Sequence, residues 1–315
     1  MKPRIAIPLP HGSDPEYALR AIPQYERAVK LSGGEPVRIP LDQTPAEAMK
    51  LIERCDGVLL PGSKADVDPA KFDAEKDPRT AAADPKRDTV DELLLQDAYN
   101  MRKPVLGICY GLQILNVYRS GTLVQHIESR VNHEAGREVT VAHEVEIEAG
   151  SKLAEIISAE SAWGQPASAV RLEVGREAFA DNAAGDHRLS FDRTAEGGRL
   201  NADTGRGLPV PVNSSHHQSA DRAGDGLKIV ARCPEDGIVE AIEGTQADHF
   251  VLAVQWHPER SFDGDENSKA IFRALVEAAR EKHQELAGEF EGQSNAGEDP
   301  IRLRSGQVRA TRSNR

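Results

Sequence analysis

From Arg4 to Leu123 the chain alternates short apolar runs with longer stretches in which apolar residues recur every three or four positions. Arg4–Leu9, Pro36–Ile39, Gly57–Leu60 and Val105–Ile108 are too short for stable helices and read as strands. Val58–Leu60 is apolar without a break, the pattern of a strand covered on both faces. Glu16–Leu31 places Ala18, Ile22, Tyr25 and Val29 at helical spacing and stops at Gly33-Gly34. Thr44 reads as an N-cap and Pro45 as the first residue of a helix through Arg54. Asp88–Met101 predicts an amphipathic helix, and Leu112–Tyr118 another helix. Strands separated by helices imply right-handed crossovers and a parallel sheet.

The pattern then changes. Glu138–Ile147, E-V-T-V-A-H-E-V-E-I, alternates apolar and polar residues, as a half-exposed antiparallel strand does. Residues from about 160 to 208 are rich in Ala, Gly, Asp and Arg with little periodicity, which predicts an insertion or long loop. Strand patterns return at Leu227–Ala231, Ile238–Ile242 and Phe250–Gln255, followed by a helix over Ser268–Glu285. Residues 286–315 hold few apolar groups, with five arginines and no acid after Pro300, and predict a disordered tail. The expected layout is one α/β domain over 1–285. Its central sheet is mostly parallel and flanked by helices, with an added antiparallel segment.

Charge and cysteine usage narrow the function classes. Of 315 residues, 39 are Lys or Arg and 51 Asp or Glu, a formal net charge of -12. That balance disfavours nucleic-acid binding, which needs a basic face. No apolar run approaches the roughly 18 residues of a membrane helix, and the M-K-P-R-I-A-I-P-L-P start lacks a signal-peptide pattern. Cys55, Cys109 and Cys233 are odd in number and far apart, which argues against a disulfide framework and for a reducing cytoplasm.

One cysteine has a special setting. Val105–Leu115 reads V-L-G-I-C-Y-G-L-Q-I-L: a strand, a turn at Cys109 between Gly107 and Gly111, then a helix. This is the pattern of a nucleophile elbow with cysteine in place of serine. The glycines leave room where side chains would collide with neighbouring elements. A helix N-terminus at Cys109 would favour the thiolate. The Tyr110 N–H would face the space where an oxyanion forms. A buried structural cysteine in a Gly-flanked turn fits the same pentapeptide. A base is available in A-V-Q-W-H-P-E, where His257 and Glu259 follow an apolar strand at i, i+2 spacing. In extended backbone both side chains point the same way. The carboxylate can then orient the imidazole, and the imidazole can take the thiol proton.

Together these motifs resemble class I glutamine amidotransferases. They resemble most the γ-glutamyl hydrolase branch of peptidase C26 type, which includes γ-glutamyl-γ-aminobutyrate hydrolase. The resemblance rests on L-P-G-S at Leu60–Ser63, D-P-K-R-D at Asp84–Asp88 and G-I-C-Y-G-L-Q at Gly107–Gln113. It rests further on G-T-L at Gly121–Leu123, V-N-S-S-H-H-Q at Val212–Gln218, D-G-I-V-E-A at Asp236–Ala241 and V-Q-W-H-P-E at Val254–Glu259. It implies a flavodoxin-like three-layer fold and a triad of Cys109, His257 and Glu259. It implies an oxyanion hole from the N–H of Tyr110 and one from Ser63 or Gly62, with Gln113 and His216 near the γ-glutamyl group. The implied reaction is thioester formation on a γ-glutamyl amide, amine release and hydrolysis to glutamate. No cofactor or metal is implied, the substrate is a small molecule, and a homodimer is compatible. A glutaminase subunit supplying ammonia to a synthetase would use the same triad. A catalytically silent binding protein on this fold would not need it. Tyr110 stands where the γ-aminobutyrate branch commonly carries arginine, and Tyr118-Arg119-Ser120 replaces the usual small residues before G-T-L.

The remaining polar candidates read as structural. His126, His133 and His143 lack metal-ligand spacing, and the adjacent His216 and His217 are expected to point apart. Cys55 and Cys233 read as core or edge residues. His11 reads equally as a turn residue or a pocket residue, and Asp66 and Asp68 as solvated loop acids or as partners for a substrate amine.

Overall fold

The structure is a computed structural model that describes residues 2–163 and 207–295. The strands are β1 (Arg4–Pro8), β2 (Glu35–Ile39), β3 (Gly57–Leu60), β4 (Val105–Ile108), β5 (Leu123–Val124), β6 (His143–Ile147), β7 (Leu208–Val212), β8 (Ser219–Ala220), β9 (Leu227–Arg232), β10 (Val239–Gly244) and β11 (Val251–Val254). The helices are α1 (Pro15–Leu31), α2 (Pro45–Ile52), α3 (Pro85–Met101), α4 (Tyr110–Tyr118), α5 (Lys152–Trp163), α6 (Pro258–Ser261) and α7 (Glu266–Asn295). A nine-stranded sheet runs β2-β1-β3-β4-β11-β10-β9-β6-β7, and β5 pairs with β8. From β2 to β11 neighbours are parallel; from β11 through β10, β9 and β6 to β7 they are antiparallel. This is the mixed α/β architecture the pattern predicts.

Strand alternation divides the core in two. Ile5, Ile7, Leu59, Leu106, Ile108, Leu252 and Val254 pack on one face with Ile22, Tyr25 and Val29 of α1 and Phe272, Leu275 and Val276 of α7. Ala6, Val58, Leu60, Val105 and Ala253 pack on the other with Leu94 of α3 and Leu112 and Leu115 of α4. Helices on both faces explain why these strands lack polar alternation. Thr44 caps α2 as predicted, in a capping box with Glu47.

Several boundaries differ from the pattern. The predicted strand at Glu138 begins only at His143. The final helix runs to Asn295, past the expected end at 285. Helix α3 buries Arg87, Asp88, Asp91 and Asp97 beside its apolar residues, so it is not amphipathic in the simple sense. Most of the expected insertion and the arginine-rich end of the expected tail lie outside the described residues.

Candidate active site

Strands β4 and β11 are parallel neighbours in which Ile108 pairs with Val254. Cys109 follows β4 directly, and its N–H donates to the Val254 carbonyl at 2.9 Å. His257 follows β11 at the same end of the sheet. The Cys109 backbone has φ 54 and ψ -107, a conformation side chains other than glycine's rarely adopt. A Cβ on Gly111 would lie 2.1 Å from the Leu60 carbonyl oxygen, and one on Gly107 would lie 2.7 Å from that of Gly111. The two glycines are therefore required by close packing around the elbow.

The His257 Nδ1 lies 2.8 Å from Glu259 Oε1. If the imidazole is neutral and donates that proton, Nε2 is a bare acceptor; Nε2 is buried and has no hydrogen-bond partner. A Cβ on Gly62 would sit 3.1 Å from His257 Cε1 and 3.7 Å from Cys109 Cβ, so Gly62 borders both side chains. Asn213 fixes His257 from behind. Its Oδ1 accepts from the His257 N–H, and its Nδ2 donates to the His257 carbonyl, both at 2.9 Å.

Burial governs the charge state. It pushes the Cys109 thiol up to about 12, against the Arg260 guanidinium and the Tyr110 N–H. It also holds His257 below its ordinary value, although Glu259 pulls it upward. Both shifts favour thiol and neutral imidazole over the ion pair, with desolvation opposing the helix-end field that favours the thiolate. Burial alone would raise Glu259, but the His257 imidazole and Arg260 bring it below the usual carboxylate range.

The D-P-K-R-D motif builds the neighbouring loops. Asp84 caps α3 and accepts from the Gly12 N–H. Arg87 is fully buried: its Nε donates to both Asp91 carboxylate oxygens, and its Nη1 and Nη2 donate to the carbonyls of Pro10 and Pro61 at 3.0 and 2.8 Å. It thereby sets the backbone just before Gly62. The Gly62 N–H donates to the Tyr25 hydroxyl at 3.1 Å. Tyr110 turns its side chain away from the elbow: its hydroxyl donates to Asp88 at 2.7 Å, and its ring lies beneath Arg87.

A cleft of about 600 Å³ opens over the pair, lined by Cys109, His257, Ser63, Gln113, Arg260 and Asp66 among others. Gln113 donates to the Gln218 carbonyl at 3.1 Å. His216 reaches the cleft wall, but its ring nitrogens are directed elsewhere. Nδ1 lies 3.0 Å from the Gln218 carbonyl oxygen, and Nε2 faces Glu240. His217 points apart from it, to Asp66 at 3.1 Å. Asp66 is buried and also accepts from the Ala81 N–H, so it is not a solvated acid. Asp68 caps a short 3-10 turn, Cys55 and Cys233 are buried, and His11 lies 3.2 Å from Asp84. Sequence reasoning missed Asn213 as the clamp, although it lies in V-N-S-S-H-H-Q. It also missed Arg260, which is one residue past the H-P-E motif and lines the cleft with a buried Nη1 lacking a partner.

Comparison with known proteins fits this geometry. The sequence model of the peptidase C26 family matches residues 11–165 and 164–259. A glutamine amidotransferase-like protein of Rickettsia prowazekii is 30% identical over 266 residues, covering 84% of this chain and 90% of that protein. The γ-glutamyl-γ-aminobutyrate hydrolase of Escherichia coli O157:H7 is 29% identical over 259 residues, covering 82% and 85%. Among solved structures, a GMP synthase subunit from Thermoplasma acidophilum aligns with TM-score 0.52 at 13% identity, covering 93% of this chain and 98% of that one, a likeness of fold. Elbow geometry and sequence matches lead to one conclusion: the chain belongs to the peptidase C26 family, within the class I glutamine amidotransferases.

Proposed function

We propose that the protein hydrolyses γ-glutamyl amides through a Cys109–His257–Glu259 triad. The observation that carries the reading is the placement of Cys109 and His257 at the ends of paired strands, with a buried acceptor nitrogen on His257. His257 Nε2 takes the thiol proton as Cys109 Sγ attacks the amide carbon. The tetrahedral oxyanion draws on the Tyr110 N–H and on that of Ser63, since the Gly62 N–H is already donated to Tyr25. The C–N bond then breaks, and the His257 proton passes to the leaving amine. Water attacks the thioester, His257 takes its proton, and glutamate leaves as the Cys109 thiol re-forms.

The cleft suits a zwitterionic glutamyl group. Arg260, Arg20 and Arg137 line it beside Asp66 and Glu134, which matches an α-carboxylate and an α-ammonium. Tyr110 offers no free side-chain group for the leaving amine, so the amine's selectivity falls to other residues of the cleft.

Glutamate release from glutamine and from a panel of γ-glutamyl amines tests the reading, with Cys109→Ala as control. Release from γ-glutamyl amines by the isolated protein, absent in the variant, is the expected result. Release from glutamine only in the presence of a synthetase would favour the ammonia-supplying role. No release and no thioester adduct under either condition would leave the fold without this chemistry.

A further inference from the structure

Beside the cleft, His133, His143, His216 and Glu240 converge from four separate segments. His133 lies in the loop between β5 and β6, His143 opens β6, His216 lies between β7 and β8, and Glu240 belongs to β10. All four are more than nine-tenths buried. Nothing in the triad chemistry uses them as a group.

The hydrogen bonds define what each ring offers. His143 Nδ1 lies 3.1 Å from the Glu144 carbonyl oxygen, and His216 Nδ1 lies 3.0 Å from that of Gln218. His133 Nε2 lies 2.9 Å from Asp236 Oδ2. In each neutral ring the outer nitrogen therefore carries the proton, and the inner nitrogen is a bare lone pair. The three inner nitrogens and both Glu240 oxygens have no hydrogen-bond partner. Buried lone pairs directed at one another need a cation between them.

The three distances to Glu240 fit a metal ion better than a shared proton. Glu240 Oε1 lies 3.3 Å from His133 Nδ1, 3.4 Å from His143 Nε2 and 3.5 Å from His216 Nε2. Charge-assisted hydrogen bonds from protonated rings would be about 2.7–2.9 Å. A tetrahedron with metal–ligand bonds of about 2.0–2.2 Å has edges of about 3.3–3.6 Å. All four ligand atoms lie within 4.8 Å of one another. The outer partners reproduce the carbonyl and carboxylate supports that orient ligating histidines, with Asp236 in turn accepting from Ser129 and the Ile238 N–H. The β9–β10 ladder shifts register between Val239 and Ala241, so Glu240 sits on a β-bulge, the irregularity that re-aims a side chain.

We propose that His133, His143, His216 and Glu240 bind one divalent transition-metal ion, zinc by its tetrahedral N/O preference. Four protein ligands close the coordination sphere, so the ion is structural. It staples the His133 loop, β6 and β10 to the segment 213–218, which carries the Asn213 clamp and walls the cleft. The site stands independently of the hydrolase reading.

Metal analysis of the full chain, purified without metal-affinity chromatography, tests it. About one equivalent of zinc per chain is expected, falling roughly tenfold or more in Glu240→Gln and His143→Gln. Stripping the wild type with a chelator and titrating Co²⁺ is expected to give a one-to-one complex. Its visible spectrum should be that of four-coordinate cobalt with nitrogen and oxygen ligands, without a thiolate charge-transfer band. Where a variant fails to fold, the wild-type cobalt spectrum decides. A chain that carries no zinc and takes up no Co²⁺ overturns the proposal and leaves a protonated histidine cluster around Glu240. A thiolate band overturns it too, since it would place the ion on Cys233 or Cys109. So does undiminished metal in both variants.

Discussion

Asn213 grips the main chain of His257 at both its N–H and its carbonyl, through two hydrogen bonds of 2.9 Å. The side chain that positions His257 thus comes from a different loop than His257 itself. Both bonds are buried, so Asn213→Ala leaves two main-chain groups unsatisfied and costs about 2–4 kcal/mol of stability. The catalytic effect is expected to exceed what stability explains. A base displaced by a fraction of an ångström lowers kcat by about 10–100-fold, while KM changes little. Steady-state kinetics with urea unfolding check this; a KM effect with unchanged kcat would contradict it.

The pH profile follows from burial. Protonated His257 cannot take the thiol proton, and burial holds it below its ordinary value of 6.5. The acid limb of kcat/KM is therefore expected below pH 6.5. Glu259 pulls the imidazole upward, so Glu259→Gln should move the limb further toward acid. It should also cut kcat by about 10²-fold or more as the ring loses its orienting partner. The linkage has the same sign. A depressed histidine contributes stability above its unfolded value and loses it as pH falls through the folded one.

The thiol makes the complementary prediction. With Cys109 pushed up to about 12, iodoacetamide labelling of the substrate-free protein should accelerate steadily as pH rises through the alkaline range. The stability linked to the protonated thiol is lost as pH rises from the ordinary value of 9 toward that folded value. A labelling plateau near neutrality, measured by mass spectrometry, would mean a resting thiolate.

Two glycines should fail differently. At Gly111 a methyl group meets a main-chain oxygen at 2.1 Å, so Gly111→Ala is expected to cost about 3 kcal/mol or more and impair folding. At Gly62 it meets His257 Cε1 at 3.1 Å and the Tyr25 hydroxyl at 3.2 Å. Gly62→Ala should therefore lower kcat sharply for a stability loss near 1 kcal/mol. Thermal unfolding beside initial rates separates the two.

Arg260 is the expected anchor of the substrate carboxylate. Loss of a charge-assisted hydrogen bond of about 1.5–3 kcal/mol predicts a rise in KM of roughly 10–100-fold for Arg260→Ala. Because Arg260 Nε lies 3.5 Å from Glu259, the same variant should shift the pH limb. Its guanidinium holds the His257 imidazole down, so the limb moves upward.

Legibility tracked how local each signal was. The elbow and the H-P-E turn are contiguous words whose glycines and spacing carry their geometry; that they sit at adjacent strand ends was not in the pattern. Strand β7 was not legible: L-P-V-P-V carries no element in the predicted layout, and proline cannot join a ladder from both sides. It forms a sheet edge, with Pro209 and Pro211 exposed and Leu208, Val210 and Val212 buried. The predicted start of β6 at Glu138 failed because alternation does not reveal where a pairing partner begins. The role of Asn213 and the grouping of His133, His143, His216 and Glu240 depend on which loops meet, which no spacing encodes. Arg87 was part of a recognised motif, but its contacts with Pro10 and Pro61 span distant segments.

The pairing of β4 with β11 has a consequence for synthesis on the ribosome. Cys109 and His257 follow neighbouring strands but lie nearly half the chain apart in order of translation. The elbow emerges early, whereas β11, which leads to His257, emerges after the other described strands. Docking β11 between β4 and β10 closes the longest loop in the sheet, a step whose entropy cost is met only by the contacts it completes. Every nascent chain shorter than that strand therefore carries Cys109 without His257 beside it, and the proposed hydrolytic competence would arrive together with the finished sheet.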